Sequence, residues 1–176
     1  MPLTSRTAVR DDIPALVPLM EAAIGELQKA FLDEAQIEAS RASMGLDTQL
    51  VDDGTYYVVE SDGRLAGCGG WSRRATMYGG DHSAGRDSAL LDPAREPARV
   101  RAMYTHPDFT RRGVGRLILS LCESAAAMDG FTVLELVASL AGARLYGAAG
   151  FEVIERFDDD SGGVAVPLVR MGKAIG

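Results

Sequence analysis

The chain has 176 residues, of which 47% are hydrophobic and 24% are charged, a composition typical of one globular domain with its own core. Its net charge of −7 disfavours nucleic acid and anionic membranes as partners, because phosphate neutralisation requires a broad basic face. The two cysteines are too few for a disulfide framework and match no zinc spacing, so no metal is expected. We therefore predict a single domain over residues 1–176.

The first residues, MPLTSRTAVRDD, contain no apolar segment of the kind that signal peptides have. No apolar run elsewhere approaches the ~20 residues that a membrane-spanning helix needs. The sequence therefore predicts a cytoplasmic protein with no membrane partner.

The N-terminal part of the chain predicts a strand, two helices and a hairpin. Residues 3–9 are typical of a short edge strand. Apolar residues then recur at helical spacing over 13–32, and residues 33–46 predict a second, more polar helix. Two strands, over 55–61 and 64–74, flank an Asp-Gly pair of the type that forms tight hairpin turns.

The C-terminal part begins with a turn-rich segment, residues 75–97, which predicts a long mobile loop. The elements after it are predicted as strand, helix, strand, helix and two strands, at residues 98–105, 115–128, 131–139, 140–150, 151–157 and 163–172. The strand–helix–strand order in the middle implies a parallel crossover, while the hairpins add antiparallel pairs. The resulting order, β-α-α-β-β-β-α-β-α-β-β, predicts an α/β fold with one mixed sheet.

The turn before the strongest helix, THPDFTRRGVGRLIL, combines two glycines with three arginines, Arg111, Arg112 and Arg116. A helix N-terminus presents free backbone N–H groups and the positive end of the helix dipole, so this turn is a candidate phosphate site. Its spacing fits neither GxxxxGK[ST] nor GxGxxG, which disfavours ATP, GTP and dinucleotides. The alternative is an ordinary helix start with solvated arginines.

A family resemblance favours the phosphate site. The run MYTHPDFTRRGVGRLIL resembles the acetyl-CoA-binding motif of the GCN5-related N-acetyltransferase superfamily, a strand followed by Gln/Arg-x-x-Gly-x-Gly/Ala and a helix. The later run LELVASLAGARLYGAAGFEVIERF resembles the family's Tyr-x-x-x-Gly-Phe segment, with Tyr146, Gly150 and Phe151 at the signature positions. The likeness is strongest over residues 98–157. It implies a mixed sheet that splays at its centre and is flanked by helices.

Two positions depart from the family pattern. Thr110 stands where the motif usually has Gln or Arg, and Ser139 stands where many members have an Asn that holds the pantetheine arm. We expect both changes to be tolerated, because the family's pyrophosphate contacts run largely through backbone N–H groups. Arg111 or Arg112 would then supply the positive charge.

The resemblance implies that an acetyl group is transferred from acetyl-CoA to a primary amine of a small metabolite or peptide, directly and in a ternary complex. In this family the strand before the loop holds the thioester through its backbone, and the glycine turn holds the pyrophosphate. The implied CoA-binding residues are Met103, Tyr104, Thr105, Arg111, Arg112, Gly113, Val114, Gly115, Arg116 and Ser139.

Tyr146 is the implied general acid. A phenol with a pKa near ~10 keeps its proton at neutral pH and can hydrogen-bond the departing CoA sulfur, whose thiol has a pKa near ~8.5. The alternative for Tyr146 is a packing role on the sheet. No base is chosen, and a water chain would serve as well. The carboxylate and imidazole candidates for the base are Glu26, Glu34, Asp81, His82 and Glu135.

Three further questions stay open in the sequence. Trp71, with Arg73 and Arg74, lines an acceptor pocket suited to an amine that also bears a carboxylate, or else Trp71 belongs to the core. The protein is an enzyme, or else a non-catalytic acyl-CoA-binding regulatory module. Many members of the family dimerise, so a homodimer is the assembly to test.

Overall fold

The computed structural model describes residues 2–176 as one seven-stranded mixed sheet with helices on both faces. The strands are β1 (Thr4–Thr7), β2 (Tyr56–Ser61), β3 (Arg64–Ser72), β4 (Ala98–Thr105), β5 (Val133–Ser139), β6 (Glu152–Asp159) and β7 (Val166–Ala174). The helices are α1 (Ile13–Leu27), α2 (Glu34–Ser40), α3 (Thr48–Asp52), α4 (Val114–Met128) and α5 (Leu140–Ala148). The strand order is β1-β2-β3-β4-β5-β7-β6, which confirms the predicted fold class.

The segment between α1 and β2 is the part that the sequence predicts least well. The expected second helix over 33–46 ends at Ser40, and a separate helix, α3, follows at Thr48. The carboxylate of Asp47 caps α3 by accepting a hydrogen bond from the amide of Gln49, at 3.1 Å. A helix of five residues is too short to show a helical period, so the sequence of α3 contains no apolar pattern that would predict it.

The two faces of the sheet carry different helices because successive strand residues point to opposite sides. On β2, Val58 packs in a cluster with α1, while Val59 packs in a cluster with α4. Both side chains are completely buried. Helix α5 lies on the same face as α4, since Tyr146 belongs to the cluster that holds Val59. The sheet is therefore covered on both sides around its centre.

β4 and β5 are the parallel pair at the centre of the sheet, and they separate soon after they meet. Their register contains two pairs, Ala98 with Leu134 and Arg99 with Glu135. β4 also bulges against β3 at Ala102, which has a positive φ of 52°. Such a bulge bends its strand, so the rest of β4 diverges from β5 and leaves its β5-facing edge without a ladder partner.

The segment 75–97 is tied to the rest of the molecule at several points. Thr76 and Asp87 exchange hydrogen bonds across it, and the guanidinium of Arg86 pairs with Asp47 at 3.0 Å. Ser83 donates a hydrogen bond to the carbonyl of Ala42, at 2.6 Å. The predicted mobility of this loop stays a prediction. Within residues 2–176, no helix is both long and apolar enough to cross a membrane.

Candidate active site

The gap between β4 and β5 opens into a cavity of about 80 Å³. Its walls come from both faces of the sheet. Met103 of β4 and Tyr146 of α5 line it on the side of α4, and Arg101 and Tyr78 line it on the other side. The cavity therefore lies where the two central strands separate, and side chains from both faces of the sheet reach it.

Tyr146 is buried in the wall of this cavity. Its ring packs edge-on against Phe151, with the centroids 6.0 Å apart, so the residue both packs on the sheet and lines the cavity. Burial raises the pKa of the Tyr146 phenol above its ordinary value, which keeps the group protonated. Its hydroxyl makes no hydrogen bond to any other residue from 2 to 176, so its proton is available to a ligand.

The turn before α4 has the geometry of an anion site. Arg111 adopts a left-handed conformation with φ 60°, and Gly113, the N-cap of α4, does so with φ 84°. The N-cap has no side chain to cap the helix, so the first amides of α4 lack an acceptor within the helix. A left-handed arginine costs of order 1 kcal/mol, and such strain is typical of ligand-holding turns.

The three arginines of this turn, Arg111, Arg112 and Arg116, are exposed. In the part of the chain that the structure describes, none of them forms an ion pair with a carboxylate, whereas nearby Arg64 pairs with Asp108 at 3.0 Å. Arg112 also lies 5.4 Å from the centre of the Phe109 ring. Three uncompensated guanidiniums beside free helix amides favour an anionic ligand.

Gly115 has a packing role in addition to its backbone amide. It is buried in the first turn of α4, and any side chain there would overlap Leu145 of α5. The glycine therefore allows the N-terminal end of α4 to lie next to the helix that carries Tyr146. A substitution at Gly115 would change the packing of α4 against α5, so it is a poor test of anion binding alone.

The side chains of two other implied CoA-binding residues, Tyr104 and Ser139, are engaged within the protein. The Tyr104 side chain points away from α4, and its hydroxyl accepts a hydrogen bond from the amide of Gly45 at 2.8 Å. Ser139 lines the cavity but caps α5, accepting a hydrogen bond from the amide of Gly142 at 3.2 Å. Thr110 is exposed and its hydroxyl lies 3.5 Å from the carbonyl of Pro107.

None of the base candidates from the sequence lines the cavity. Glu26 and Glu135 are engaged with cations, Lys29 at 2.9 Å and Arg170 at 3.5 Å respectively. The remaining three are held or exposed elsewhere: Glu34 begins α2, Asp81 accepts a hydrogen bond from the amide of Thr48, and His82 Nε2 lies 2.6 Å from the carbonyl of Arg41.

Trp71 belongs to the core and not to an acceptor pocket. Only 2% of it is exposed, and its ring packs edge-on against Phe131 at 6.1 Å. The adjacent arginines are engaged as well, since Arg73 pairs with Asp129 at 2.9 Å and Arg74 pairs with Asp53 at 2.8 Å. None of the three residues lines the cavity between β4 and β5, so the structure gives no support to the hypothesis that these arginines receive a substrate carboxylate.

The sequence patterns did not predict two polar pairs that lie next to the cavity. Arg101, which lines the cavity, pairs with the completely buried carboxylate of Asp47 at 2.7 Å. Tyr78, which also lines it, donates a hydrogen bond to Asp159 at 3.0 Å. The residues of each pair are 54 and 81 positions apart, so no local pattern could have connected them.

Comparison with protein families supports the resemblance seen in the motifs. The model described as "Acetyltransferase (GNAT) domain" matches residues 52–153, which is more than half of the chain. The matched segment runs from the end of α3 to the start of β6 and so contains β4, the turn before α4, and Tyr146. The comparison with curated proteins finds no matching sequence.

Solved structures with the same fold are numerous. A GCN5-related N-acetyltransferase from Rhodopseudomonas palustris aligns with a TM-score of 0.74 and 20% identity, over 99% of this chain and 97% of its own. The PaiA N-acetyltransferase of Thermoplasma acidophilum, in complex with coenzyme A, gives 0.67 and 15%, over 99% of both chains. The YncA protein of Salmonella typhimurium, with acetyl-CoA, gives 0.65 and 18%, over 100% and 95%. At these identities the likeness establishes the fold.

Proposed function

Because this chain belongs to the GNAT acetyltransferase family, we propose that it transfers the acetyl group of acetyl-CoA to a primary amine of a small metabolite or peptide. The observation that carries the proposal is the unpaired edge of β4, which faces a cavity lined by Tyr146. A thioester lying along this edge would meet free backbone groups in place of a neighbouring strand. A cytoplasmic location and a homodimer remain predictions.

The residues present fit CoA. Arg111, Arg112 and Arg116 would pair with the pyrophosphate, while the first amides of α4 would donate hydrogen bonds to it. From there the pantetheine arm would reach the cavity between β4 and β5, with the backbone of Met103 and Thr105 beside it. Two of the structures named above contain coenzyme A or acetyl-CoA, which supports the assignment.

The reaction requires the protein to orient the thioester, to admit the amine and to stabilise the leaving thiolate. The β4 edge orients the thioester carbonyl, and a backbone N–H there would stabilise the oxyanion of the tetrahedral intermediate. The incoming amine attacks from the opposite face of the sheet, which places nucleophile and thioester in one cavity. Tyr146 donates a hydrogen bond to the sulfur as negative charge develops on it, so the thiolate leaves in a stabilised form.

CoA binding and amine acetylation test the proposal in sequence. CoA at about 100 times its Kd should raise the thermal unfolding midpoint by roughly 5–10 °C, and ATP should not. Release of the CoA thiol should then depend on an added amine, in a panel that contains alkylamines, amino acids and peptide N-termini. A protein that is stabilised by CoA but acetylates no amine contradicts the proposed reaction.

A charge-removal variant provides the matched control for the binding step. Arg111→Ala/Arg112→Ala/Arg116→Ala should weaken CoA at least about 10-fold, because hydrogen bonds from charged donors are lost. Arg95→Ala removes one charge from a side chain that is 85% exposed, and it should leave CoA affinity unchanged. Equal affinity in the triple variant and the wild type would argue against the turn as the pyrophosphate site.

Direct transfer predicts that neither cysteine carries the acetyl group. Cys68 and Cys122 are completely buried, and burial raises the pKa of the Cys68 thiol to about 12 and that of Cys122 as well. Neither thiolate is accessible to a thioester. We expect Cys68→Ala and Cys122→Ala to retain kcat within about twofold, measured by thiol release, with folding verified by circular dichroism. Loss of turnover in a folded variant would indicate an acyl-enzyme.

A further inference from the structure

Asp159 is a buried carboxylate without a countercharge. Within residues 2–176, two carboxylates are buried, and they differ in their partners. Asp47 contacts the guanidiniums of Arg86 and Arg101. Asp159, only 7% exposed, accepts hydrogen bonds from two neutral hydroxyls, Tyr78 at 3.0 Å and Ser161 at 2.7 Å, and pairs with no cation in this part of the chain.

This arrangement favours a positive ligand nearby. A buried carboxylate is costly unless a cation or a full set of hydrogen bonds compensates it, and two hydroxyls compensate it in part. Arg101, the cation that lines the cavity, is already engaged by the Asp47 carboxylate and the Gly79 carbonyl. The negative charge of Asp159 therefore remains to act on a ligand, with Tyr78 between the carboxylate and the cavity.

Tyr146 and Tyr78, which both line the cavity, differ in whether the hydroxyl already donates a hydrogen bond. Tyr146, on the α4 side of the sheet, has a free proton to donate. Tyr78, on the other side, already donates its proton to Asp159, so the Tyr78 oxygen is left as an acceptor. Burial, together with the hydrogen bond to Asp159, raises the pKa of Tyr78 to about 12. Tyr78 thus stays a neutral phenol that can receive one proton only by passing on its own.

Given the amine acetylation proposed above, we propose that Tyr78 and Asp159 form the proton relay on the acceptor side and select amines that arrive as ammonium ions. As nitrogen loses its proton, the N–H bond breaks and a new O–H bond forms on Tyr78 Oη. The original Tyr78 O–H bond breaks in the same step, and its proton forms an O–H bond with Asp159. The nitrogen lone pair is then free to attack the thioester carbonyl.

Two variants separate the parts of this relay. Tyr78→Phe removes the transferring oxygen and should lower kcat about 10²-fold. Asp159→Asn keeps the shape but removes the charge and the final proton acceptor, so kcat should fall similarly while KM for an ammonium substrate rises. The matched controls are Tyr57→Phe, a hydroxyl outside the cavity, and Asp158→Asn, an exposed carboxylate on the neighbouring residue. Both controls should retain wild-type kinetics.

A pair of amine probes gives a readout that a purely structural role of Asp159 would not change. The first probe is the alkylammonium that the wild type acetylates fastest, and the second is methoxyamine, which is uncharged at pH 7. Asp159→Asn should reduce kcat/KM for the alkylammonium about tenfold more than for methoxyamine, because one charge interaction is lost with the first probe alone. An equal loss for both probes would overturn the ammonium selection.

The outcomes distinguish this relay from the function on which it rests. CoA binding, measured calorimetrically, should be the same in the wild type, Tyr78→Phe and Asp159→Asn, which also confirms that the variants fold. A wild type that acetylates amines, together with a Tyr78→Phe variant of equal kcat, would overturn the relay and leave the proposed function intact. A wild type that binds CoA and acetylates no amine would overturn both.

Discussion

Tyr146→Phe is expected to lower kcat by about 10²- to 10⁴-fold while the affinity for CoA stays unchanged. The phenyl ring can keep its edge-on packing against Phe151, so the core loses one hydroxyl and little volume. Because that hydroxyl makes no hydrogen bond within residues 2–176, its removal breaks nothing in the free protein. The loss should appear when charge develops on the sulfur.

The measurement is a comparison of kcat by thiol release with Kd for CoA by calorimetry. Tyr57→Phe again serves as control, since it removes a hydroxyl from a half-buried tyrosine that does not line the cavity. Unchanged turnover in Tyr146→Phe would assign this residue to packing alone. Absence of turnover in the wild type, with CoA still bound, would favour the alternative of a non-catalytic acyl-CoA-binding module.

Asp47→Asn is expected to destabilise the protein by about 3–5 kcal/mol. The substitution leaves the Arg101 guanidinium, whose side chain is 2% exposed, without its countercharge in a buried site. Desolvation already lowers the pKa of Arg101, and the Asp47 charge is the main opposing influence. The same carboxylate holds Arg86, so its loss should also loosen the segment that carries Tyr78.

Urea unfolding at pH 7 measures this effect. Asp52→Asn is the matched control, because Asp52 also pairs with an arginine, Arg10, at 2.6 Å, but on the surface. Solvent screens that pair, so its removal should leave the unfolding midpoint unchanged. A cost below about 1 kcal/mol for Asp47→Asn would show that the buried network does not hold the loop to the sheet.

The two sides of the cavity differ in charge, which is consistent with cofactor binding on one side and amine binding on the other. The α4 side combines uncompensated arginines with a free phenol proton, which suits an anionic cofactor and its leaving thiolate. The opposite side combines Tyr78 with an uncompensated carboxylate, which suits a cation. This arrangement agrees with the net charge of −7, since an acidic protein attracts amines more than acids.

The sequence by itself determined the order of the main elements, the family, and the position of the glycine- and arginine-rich turn proposed to bind phosphate. These features are local: an apolar period, a tight turn, or a short motif is complete within a few consecutive residues. The turn at 111–116 and the segment around Tyr146 could be recognised for that reason. The end of α2 at Ser40 was missed, and so was the short helix α3, which begins at the capping residue Asp47 and is too short to show a period.

Only the tertiary structure decided which polar groups meet at the cavity. Trp71 was ambiguous because an aromatic residue at a strand end suits a core and a pocket equally, and its burial resolved the question. Tyr78 and Asp159 are both ordinary residues of turn-rich segments until the sheet brings them within 3.0 Å. Burial makes the unpaired charge of Asp159 energetically costly. Burial depends on the packing of the whole chain, so a short stretch of sequence does not reveal it.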